Sequence, residues 1–304
     1  ISVQLHSGLT MQPQINRVYE LIVGNAVSGE GLQINDLQCT FDISKSSSNK
    51  DKTNSASIEL YNLSNESLKL LDVDYPAAVF SAGYRDIGIK RLFAGQVTNV
   101  TTRKSGADRI TQILMGGAFT ELNHEVMSGL VAPGRTIKDV AEDIRKALPG
   151  VSRSVFNGVN LNSPIIYGYP LQGTPKDMLN ELSEKYALDW QIDDDVLYIH
   201  DNNRGNSEKF EDAYVISKYT GLIENAYRTS GDIRRSKKDK AKIQSVQFKT
   251  LLNPDIVPGD IIRLEDTLIT GWYKVSEIRH SGDWRGTAWY SELRCSAIEK
   301  VVAK

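Results

Sequence analysis

The hydrophobic period of the sequence changes twice along the chain, and this constrains the fold more than any other feature. Over roughly the first 120 residues, apolar side chains recur at every second position. In the segment Leu37–Ser44, for example, Leu37, Cys39, Phe41 and Ile43 alternate with polar residues. A period of two is typical of a strand with one buried face. Further strands are predicted at 18–23, 57–61, 77–84, 92–101 and 109–114.

From residue 134 the period becomes helical. Thr136 and Thr174 are each followed three residues later by an aspartate, a pattern typical of a capped helix N-terminus. Pro175 suits the first helical position. The apolar stripes behind the two caps are Ile137, Val140, Ala141, Ile144 and Leu148, then Met178, Leu179, Leu182 and Tyr186. Segments 190–192 and 196–199 then predict a hairpin with the acidic tip Asp193–Asp195.

The last third returns to strands, predicted at 214–217, 242–252, 260–264, 272–280 and 287–297. The sequence therefore predicts a mainly β fold with an α+β insert. Two antiparallel β-domains, at residues 1–122 and 207–304, flank a small α+β domain at residues 123–206.

Composition narrows the possible classes of protein. Of the 304 residues, 40% are apolar, which is enough for real hydrophobic cores. The net charge of −2 gives no sign of a nucleic-acid-binding protein, which would normally be basic. Cys39 and Cys295 lie far apart without C-x-x-C spacing, so we expect reduced cysteines, partly buried in strands. Residues 1–8 lack a signal-peptide pattern and no apolar run could span a membrane, so we expect neither export nor anchoring.

No motif for catalysis or cofactor binding is present. His6, His124, His200 and His280 form no i,i+4 pair, and the sequence has neither a nucleophile elbow nor a phosphate-binding glycine loop. We therefore expect a protein that is not an enzyme and has no catalytic residue, cofactor or metal. A catalytic triad or a carboxylate pair for glycoside hydrolysis is recognised by geometry alone. A cell-wall hydrolase therefore remains a lesser alternative.

Two charged segments admit more than one interpretation. The Asp193–Asp195 triplet lacks the spacing of a calcium loop, which favours a solvated hairpin tip. The basic run between residues 232 and 242 is either the solvated tip of a long hairpin, a contact for a protein partner, or a contact for DNA phosphates. Its basic side chains are Arg234, Arg235, Lys237, Lys238, Lys240 and Lys242.

Three stretches carry a family resemblance: the segment ASIELYNLS, the segment TGL with the later LLNPDIVPGD, and the segment GWYKV with the later HSGDW. They resemble the central baseplate hub of contractile-tailed phages, a group that includes late control protein D. The residues that carry the resemblance are Tyr61, Asn62, Leu63, Gly221, Asn253, Pro254, Pro258, Gly259, Asp260, His280, Gly282 and Asp283. We expect these residues to be structural: a Pro-Gly turn makes a tight bend, and His280 satisfies a local turn hydrogen bond.

The resemblance implies that the two β-domains are barrels like those of tail tubes. Three chains then offer six barrels, so a homotrimer can continue a sixfold tail tube and hold a threefold central spike while enclosing the DNA channel. The implied partners are the tail tube protein or tube initiator, the spike protein, the tape measure protein and other baseplate proteins. Viral DNA passes through without specific binding. The implied location is the virion baseplate, after assembly in the host cytoplasm.

One alternative is compatible with the same implied fold and symmetry: a hub or adaptor of a non-contractile tail tip or of a phage-derived injection machine. In either case a strongly basic channel would hold DNA, because each neutralised phosphate adds salt-dependent affinity. We therefore expect the basic run at 232–242 to face away from the channel.

Overall fold

The computed structural model describes residues 4–6, 16–24, 31–47, 54–71, 77–116, 122, 125–148, 150–193, 196–201, 212–229 and 245–297. The first part of the chain is a β-unit with one short helix. Its elements are β1 (Gln4–His6), β2 (Arg17–Gly24), β3 (Gly31–Ile34), β4 (Cys39–Ser46), β5 (Ser55–Tyr61), α1 (Asn65–Leu71), β6 (Ala77–Tyr84), β7 (Gly88–Ser105) and β8 (Asp108–Gly116). Ser64 caps α1, since its hydroxyl accepts from the Ser67 amide at 3.0 Å.

The middle of the chain is an α+β unit. Its elements are β9 (Met127–Val131), α2 (Ile137–Lys146), β10 (Arg153–Asn157), a 3-10 turn (Asn160–Asn162), β11 (Tyr169–Gly173), α3 (Pro175–Tyr186), β12 (Leu188–Asp193) and β13 (Val196–Asp201). Both predicted helix starts are confirmed. The hydroxyls of Thr136 and Thr174 accept from the amides of Asp139 at 3.3 Å and Asp177 at 3.2 Å.

The last part of the chain is a second β-unit. Its strands are β14 (Asp212–Ser217), β15 (Tyr227–Thr229), β16 (Ser245–Leu251), β17 (Ile261–Glu265), β18 (Thr270–Asp283) and β19 (Trp289–Ala297). Strands β15 and β16 pair antiparallel, as the predicted long hairpin requires. Two pairings differ from the expected antiparallel pattern, because β14 runs parallel to both β1 and β17.

Strand β18 belongs to both β-units. Residues 270–274 pair with β17, whereas residues 277–283 pair with β4 of the first unit. The register of β18 against β19 shifts between Val275 and Glu277, at the point where the partner on the other edge changes. Within the described residues, the two β-units therefore share one sheet of 14 strands.

The buried apolar side chains form three clusters. One lies between residues 19 and 115 with Leu252 and Trp289, one between 122 and 199, and one between 216 and 295. Both cysteines are free and buried, as expected. The mainly β fold with an α+β insert is confirmed, while the domain boundaries at 122/123 and 206/207 stay predictions. No helix in the described ranges has the length and hydropathy needed to cross a membrane.

Candidate functional site at the junction of the two β-units

His280 connects two of the predicted motif segments. It lies on β18 and is fully buried, and its Nδ1 shares a hydrogen bond of 2.8 Å with Oγ of Ser291 on β19. The same Ser291 oxygen accepts from the Asn253 amide at 3.2 Å. The bond of His280 therefore crosses to a neighbouring strand, and is not the local turn bond that we expected. Burial lowers the pKa of His280 to about 3, with a smaller contribution from Lys45 that Asp193 opposes.

The Pro258–Gly259 turn leads into β17 beside this junction. Gly259 has a φ of 95°, a left-handed conformation that favours glycine. Its amide donates to the carbonyl of Val275 at 2.8 Å, and the Asp260 carboxylate accepts from the Val257 amide at 2.9 Å. Nearby, the Asn253 side chain accepts from the Asp255 amide at 3.0 Å, across Pro254. These contacts fix the bend that brings β17 against β18.

Gly282 and Asp283 lie where β18 packs on the first β-unit. A Cβ atom at Gly282 would overlap the ring of Phe41 and contact the ring of Trp289 at 2.8 Å. The Asp283 carboxylate accepts from Gln38 at 2.7 Å and from the Gly286 amide at 2.8 Å. Further bonds, from the Arg17 guanidinium to the carbonyls of residues 283, 286 and 287, tie the β18–β19 hairpin to β2.

The other motif residues lie away from this junction. Asn62, at a φ of 59°, donates to Asp108 at 2.9 Å and joins the end of β5 to the β7–β8 hairpin. Tyr61 ends β5, and Leu63 is buried in the first core. Gly221, at a φ of 104°, accepts from the Leu251 amide at 2.8 Å. The sequence motifs therefore mark several separate turns.

Buried polar contacts attach the α+β unit to this junction. Lys45 on β4 forms an ion pair of 2.7 Å with Asp193, and the exposed fractions of the two side chains are 7% and 14%. Asn54 donates to the Ile192 carbonyl at 2.8 Å. Asp193 therefore does not lie on a solvated hairpin tip, and our interpretation of this residue was wrong. Asp194 and Asp195 lie outside the described residues.

A third contact joins the α+β unit to β18. Nζ of Lys274 lies 3.3 Å from Nε2 of His200, and both groups are largely buried. Burial, together with a smaller effect of the Lys274 charge, lowers the pKa of His200 to about 3. Burial also lowers the pKa of Lys274, an effect that Asp189 opposes. One signal of this interface is visible in the sequence, because Lys45 occupies an inward position in the alternation of β4.

The surface of the shared sheet that points away from the buried cores carries a row of paired charges. Residues 39, 41 and 43 of β4, and 291, 293 and 295 of β19, are buried, so the alternate residues point outward. We define the charged face as the outward side chains Arg103, Glu59, Asp42, Arg279, Glu277, Arg294, Glu292 and Lys249. A groove of about 620 Å³ crosses this face between β4 and β16.

The ion pairs of the charged face link neighbouring strands. The Arg279 guanidinium is bidentate on the Asp42 carboxylate, with Nε at 2.9 Å from Oδ1 and Nη2 at 2.6 Å from Oδ2. This hydrogen bonding raises the pKa of Arg279. Glu292 lies opposite both Arg279 and Lys249, and approaches Lys249 at 3.5 Å. The alternation predicts which side chains point outward, but the cross-strand register that pairs them is not visible in the sequence.

The predicted contact residues Arg234, Arg235, Lys237, Lys238, Lys240 and Lys242 lie outside the described residues, so their orientation stays a prediction. Within the described ranges, no group of three or more His, Cys, Asp and Glu side chains is arranged to hold a metal ion. The geometry described above is one of packing, turns and paired charges.

The shared sheet and the inserted unit recur in solved structures. A tail protein from Neisseria meningitidis MC58 aligns with a TM-score of 0.66 at 13% identity, over 93% of this chain and 97% of that chain. The 43 kDa tail protein of prophage MuSo2 from Shewanella oneidensis aligns with a TM-score of 0.62 at 11% identity, over 92% and 98%. No protein-family model matches the sequence, and no curated protein matches it significantly.

A third structure extends the similarity to secretion machines. The E. coli c3393 protein aligns with a TM-score of 0.63 at 12% identity, over 86% of this chain and 74% of that chain. It is a component of the type VI secretion system, structurally similar to the T4 phage tail proteins gp27 and gp5. The fold is therefore that of phage tail proteins and their secretion-system counterparts.

Proposed function

We propose that the chain is the central hub of a phage tail baseplate. In this role three copies form a ring that joins the sixfold tail tube to the threefold spike and encloses the DNA channel. The observation that carries the proposal is β18, which fuses two β-units into one continuous sheet within a chain whose fold matches tail proteins along nearly their full length. Two β-units per chain, repeated three times, supply the six units that a sixfold tube needs.

The proposed partners follow from this position. The tail tube protein or tube initiator lies on one side and the spike protein on the other, with the tape measure protein and other baseplate proteins in contact. The hub is part of the virion after assembly in the host cytoplasm, and it performs no catalysis. On the α+β unit the apolar side chains of Leu130, Ile166 and Tyr167 are 72%, 69% and 94% exposed. Their exposure supports assembly with protein partners. Exposed apolar clusters of this kind are typical of protein–protein interfaces.

Chemical cross-linking of intact particles that contain the chain tests the proposal. The cross-linked products should reach three chains, about 101 kDa, which is three times the 33.8 kDa of one chain. Products of this chain alone that extend to six copies, or that never exceed one copy at any cross-linker concentration, would contradict it.

The second candidate is an adaptor at the end of a non-contractile tail or of a phage-derived injection machine. It is supported by the fold similarity to the E. coli secretion component. The particle in which the chain is found decides between the two candidates. The lesser alternative, a cell-wall hydrolase, requires turnover of purified peptidoglycan that is lost when one carboxylate is replaced.

A further inference from the structure

We infer that the outer face of the β9–β11 ribbon is the docking site for a different protein of the particle, which covers it with an uncharged, apolar pocket. We define the uncharged patch as the exposed side chains Leu130, Pro133, Ile166, Tyr167 and Pro170. The inference rests on the proposed hub function and assigns one partner surface within it.

The sequence around the uncharged patch differs in composition from the rest of the chain. Asp, Glu, Lys and Arg make up 24% of all residues, yet none of them, and no histidine, occurs at 126–134 or at 154–175. The two segments meet in the structure, since Leu130 on β9 pairs with Pro170 on β11. The core of a protein interface is typically depleted of charge and enriched in aromatic residues. The uncharged patch therefore has the composition of an interface core.

The ribbon carries apolar side chains on both of its faces. On the inner face, Val131 and Leu171 are buried in the core of the α+β unit. The outer face bears Leu130 and Pro170, and the loop before β11 adds Tyr167. An antiparallel sheet with one face in water typically alternates apolar and polar residues. Apolar residues on both faces therefore indicate that both are covered in the assembled particle, whereas the described residues of one chain cover only the inner face.

The backbone around the uncharged patch is fixed before any partner binds. The Gly134 amide donates to the Ile165 carbonyl at 2.8 Å, which ties the loop before β11 to the end of β9. Gly168 follows Tyr167 at a φ of 90°, and a Cβ atom there would lie 3.5 Å from a Leu130 carbon. Side chains that are presented on a preformed backbone lose less conformational entropy on binding.

A second copy of this chain does not fit the uncharged patch. A contact of the patch with itself would be isologous, and such a contact generates twofold pairs and cannot close a ring of three. Among the described residues of the two β-units, the large apolar side chains that are more than half exposed are Tyr219, Tyr227 and Leu268. Each of these lies close in sequence to a charged residue. The occupant is therefore a different protein, with one copy on each hub chain.

The uncharged patch also determines the chemistry of the partner's pocket. A charge buried against these apolar side chains would be left without a partner, which is strongly unfavourable. The pocket is therefore apolar, with one polar group for the Tyr167 hydroxyl, because a buried tyrosine usually keeps a hydrogen bond. Salt screens charged contacts, so an association without charges should depend little on salt.

Photo-cross-linking in intact particles tests the inference. A p-benzoyl-phenylalanine probe replaces Leu130 in one preparation and Lys146 in the other, a charged position on α2 that is 60% exposed. The probe at 130 should give a product that joins this chain to one different protein, which mass spectrometry identifies. Its yield should be equal at about 0.15 M and about 1 M salt, where charged contacts are screened. The probe at 146 should not give this product.

A test variant, Ile166→Ser with Tyr167→Ser, then carries the probe at 130. The yield of the product per incorporated chain should fall at least about tenfold, because a few large anchors carry most of the binding energy of an interface. The matched control, Tyr219→Ser with Leu268→Ser, makes the same kind of change on the second β-unit and should leave the yield unaltered. Thermal unfolding of the purified chains should be unchanged in both variants, since all four side chains are largely exposed. Exclusion of the folded test variant from particles that accept the control counts as the same loss.

Products that contain only this chain, a product lost at high salt, or equal yields from the test and control variants would overturn the inference. Binding of the purified chain to phosphatidylcholine vesicles that is lost in the test variant would also overturn it, because the uncharged patch would then be a membrane contact. Such results leave the hub proposal standing if chemical cross-linking of particles still stops at three chains. A failure of that cross-linking result removes the hub proposal whichever protein the probe captures.

Discussion

At the scale of single residues, the motif positions are explained by packing and turn geometry. Gly282 is the sharpest case, because the rings of Phe41 and Trp289 meet edge to face at 5.1 Å against its Cα. Gly259 is required by a different constraint, its left-handed backbone conformation. Neither residue has a chemical function, yet each fixes a contact on which the shared sheet depends.

Replacing Gly282 with alanine should destabilise the protein by about 1–3 kcal/mol, since the added Cβ forces the two rings apart in a packed core. Gly129→Ala on β9 is the matched control, because its nearest neighbour, a Leu171 carbon, lies 3.9 Å from the new Cβ. Urea unfolding measures both. A Gly282→Ala midpoint equal to that of Gly129→Ala would show that the ring packing is not tight.

His280 and His200 should make the protein sensitive to acid. Both have a folded-state pKa of about 3, whereas an unfolded histidine titrates near 6.5. The stability is therefore fully present above about pH 6.5 and is lost progressively as the pH falls towards 3, because the unfolded chain takes up protons first. The limiting slope is about 1.4 kcal/mol per pH unit for each histidine.

The variant His280→Gln tests this slope. The stability advantage of the wild type over the variant, measured by urea unfolding, should shrink by about 2 kcal/mol between about pH 7 and pH 5. Carboxylates titrate in both proteins and largely cancel in the difference. An advantage that stays constant over this range would contradict a neutral, buried His280.

At the scale of elements, the β12–β13 hairpin attaches the α+β unit to the junction through few but buried contacts. The Lys45–Asp193 pair is the strongest of these, because both charges are largely removed from solvent. Breaking such a pair leaves a buried charge without compensation.

Asp193→Ala should therefore cost about 3–5 kcal/mol, measured by chemical unfolding, with increased hydrogen exchange along β12 and β13. The double variant Lys45→Met with Asp193→Leu should recover most of this loss, since it buries no charge. Asp143→Ala on α2 breaks a more exposed pair with Arg135, so this substitution should cost less than about 1 kcal/mol. Similar losses for Asp193→Ala and Asp143→Ala would show that Lys45 is solvated.

Local elements were predictable because periodicity and capping act over short distances. The strand Ala77–Tyr84 and the caps Thr136 and Thr174 agree with their predictions. Strands β9, β10 and β11 were not predicted, since they are short and lack a clean alternation. The Lys45–Asp193 and Arg279–Asp42 pairs were also missed, because they join residues 148 and 237 positions apart.

At the scale of the whole molecule, the decisive property is that one strand serves two β-units. Because β18 pairs with β17 and then with β4, the two β-units cannot rotate freely without breaking the sheet. A rigid pair of units is what a chain needs if three copies are to match a sixfold tube, and it makes the charged face continuous across both units.

An image reconstruction of the assembled tail tests the central claim most directly, by the number of copies at the level where tube and spike meet. The account predicts three copies around a channel, each contributing two β-units to a six-unit ring. Six copies or one copy at this level, or a position away from the axis, would contradict it.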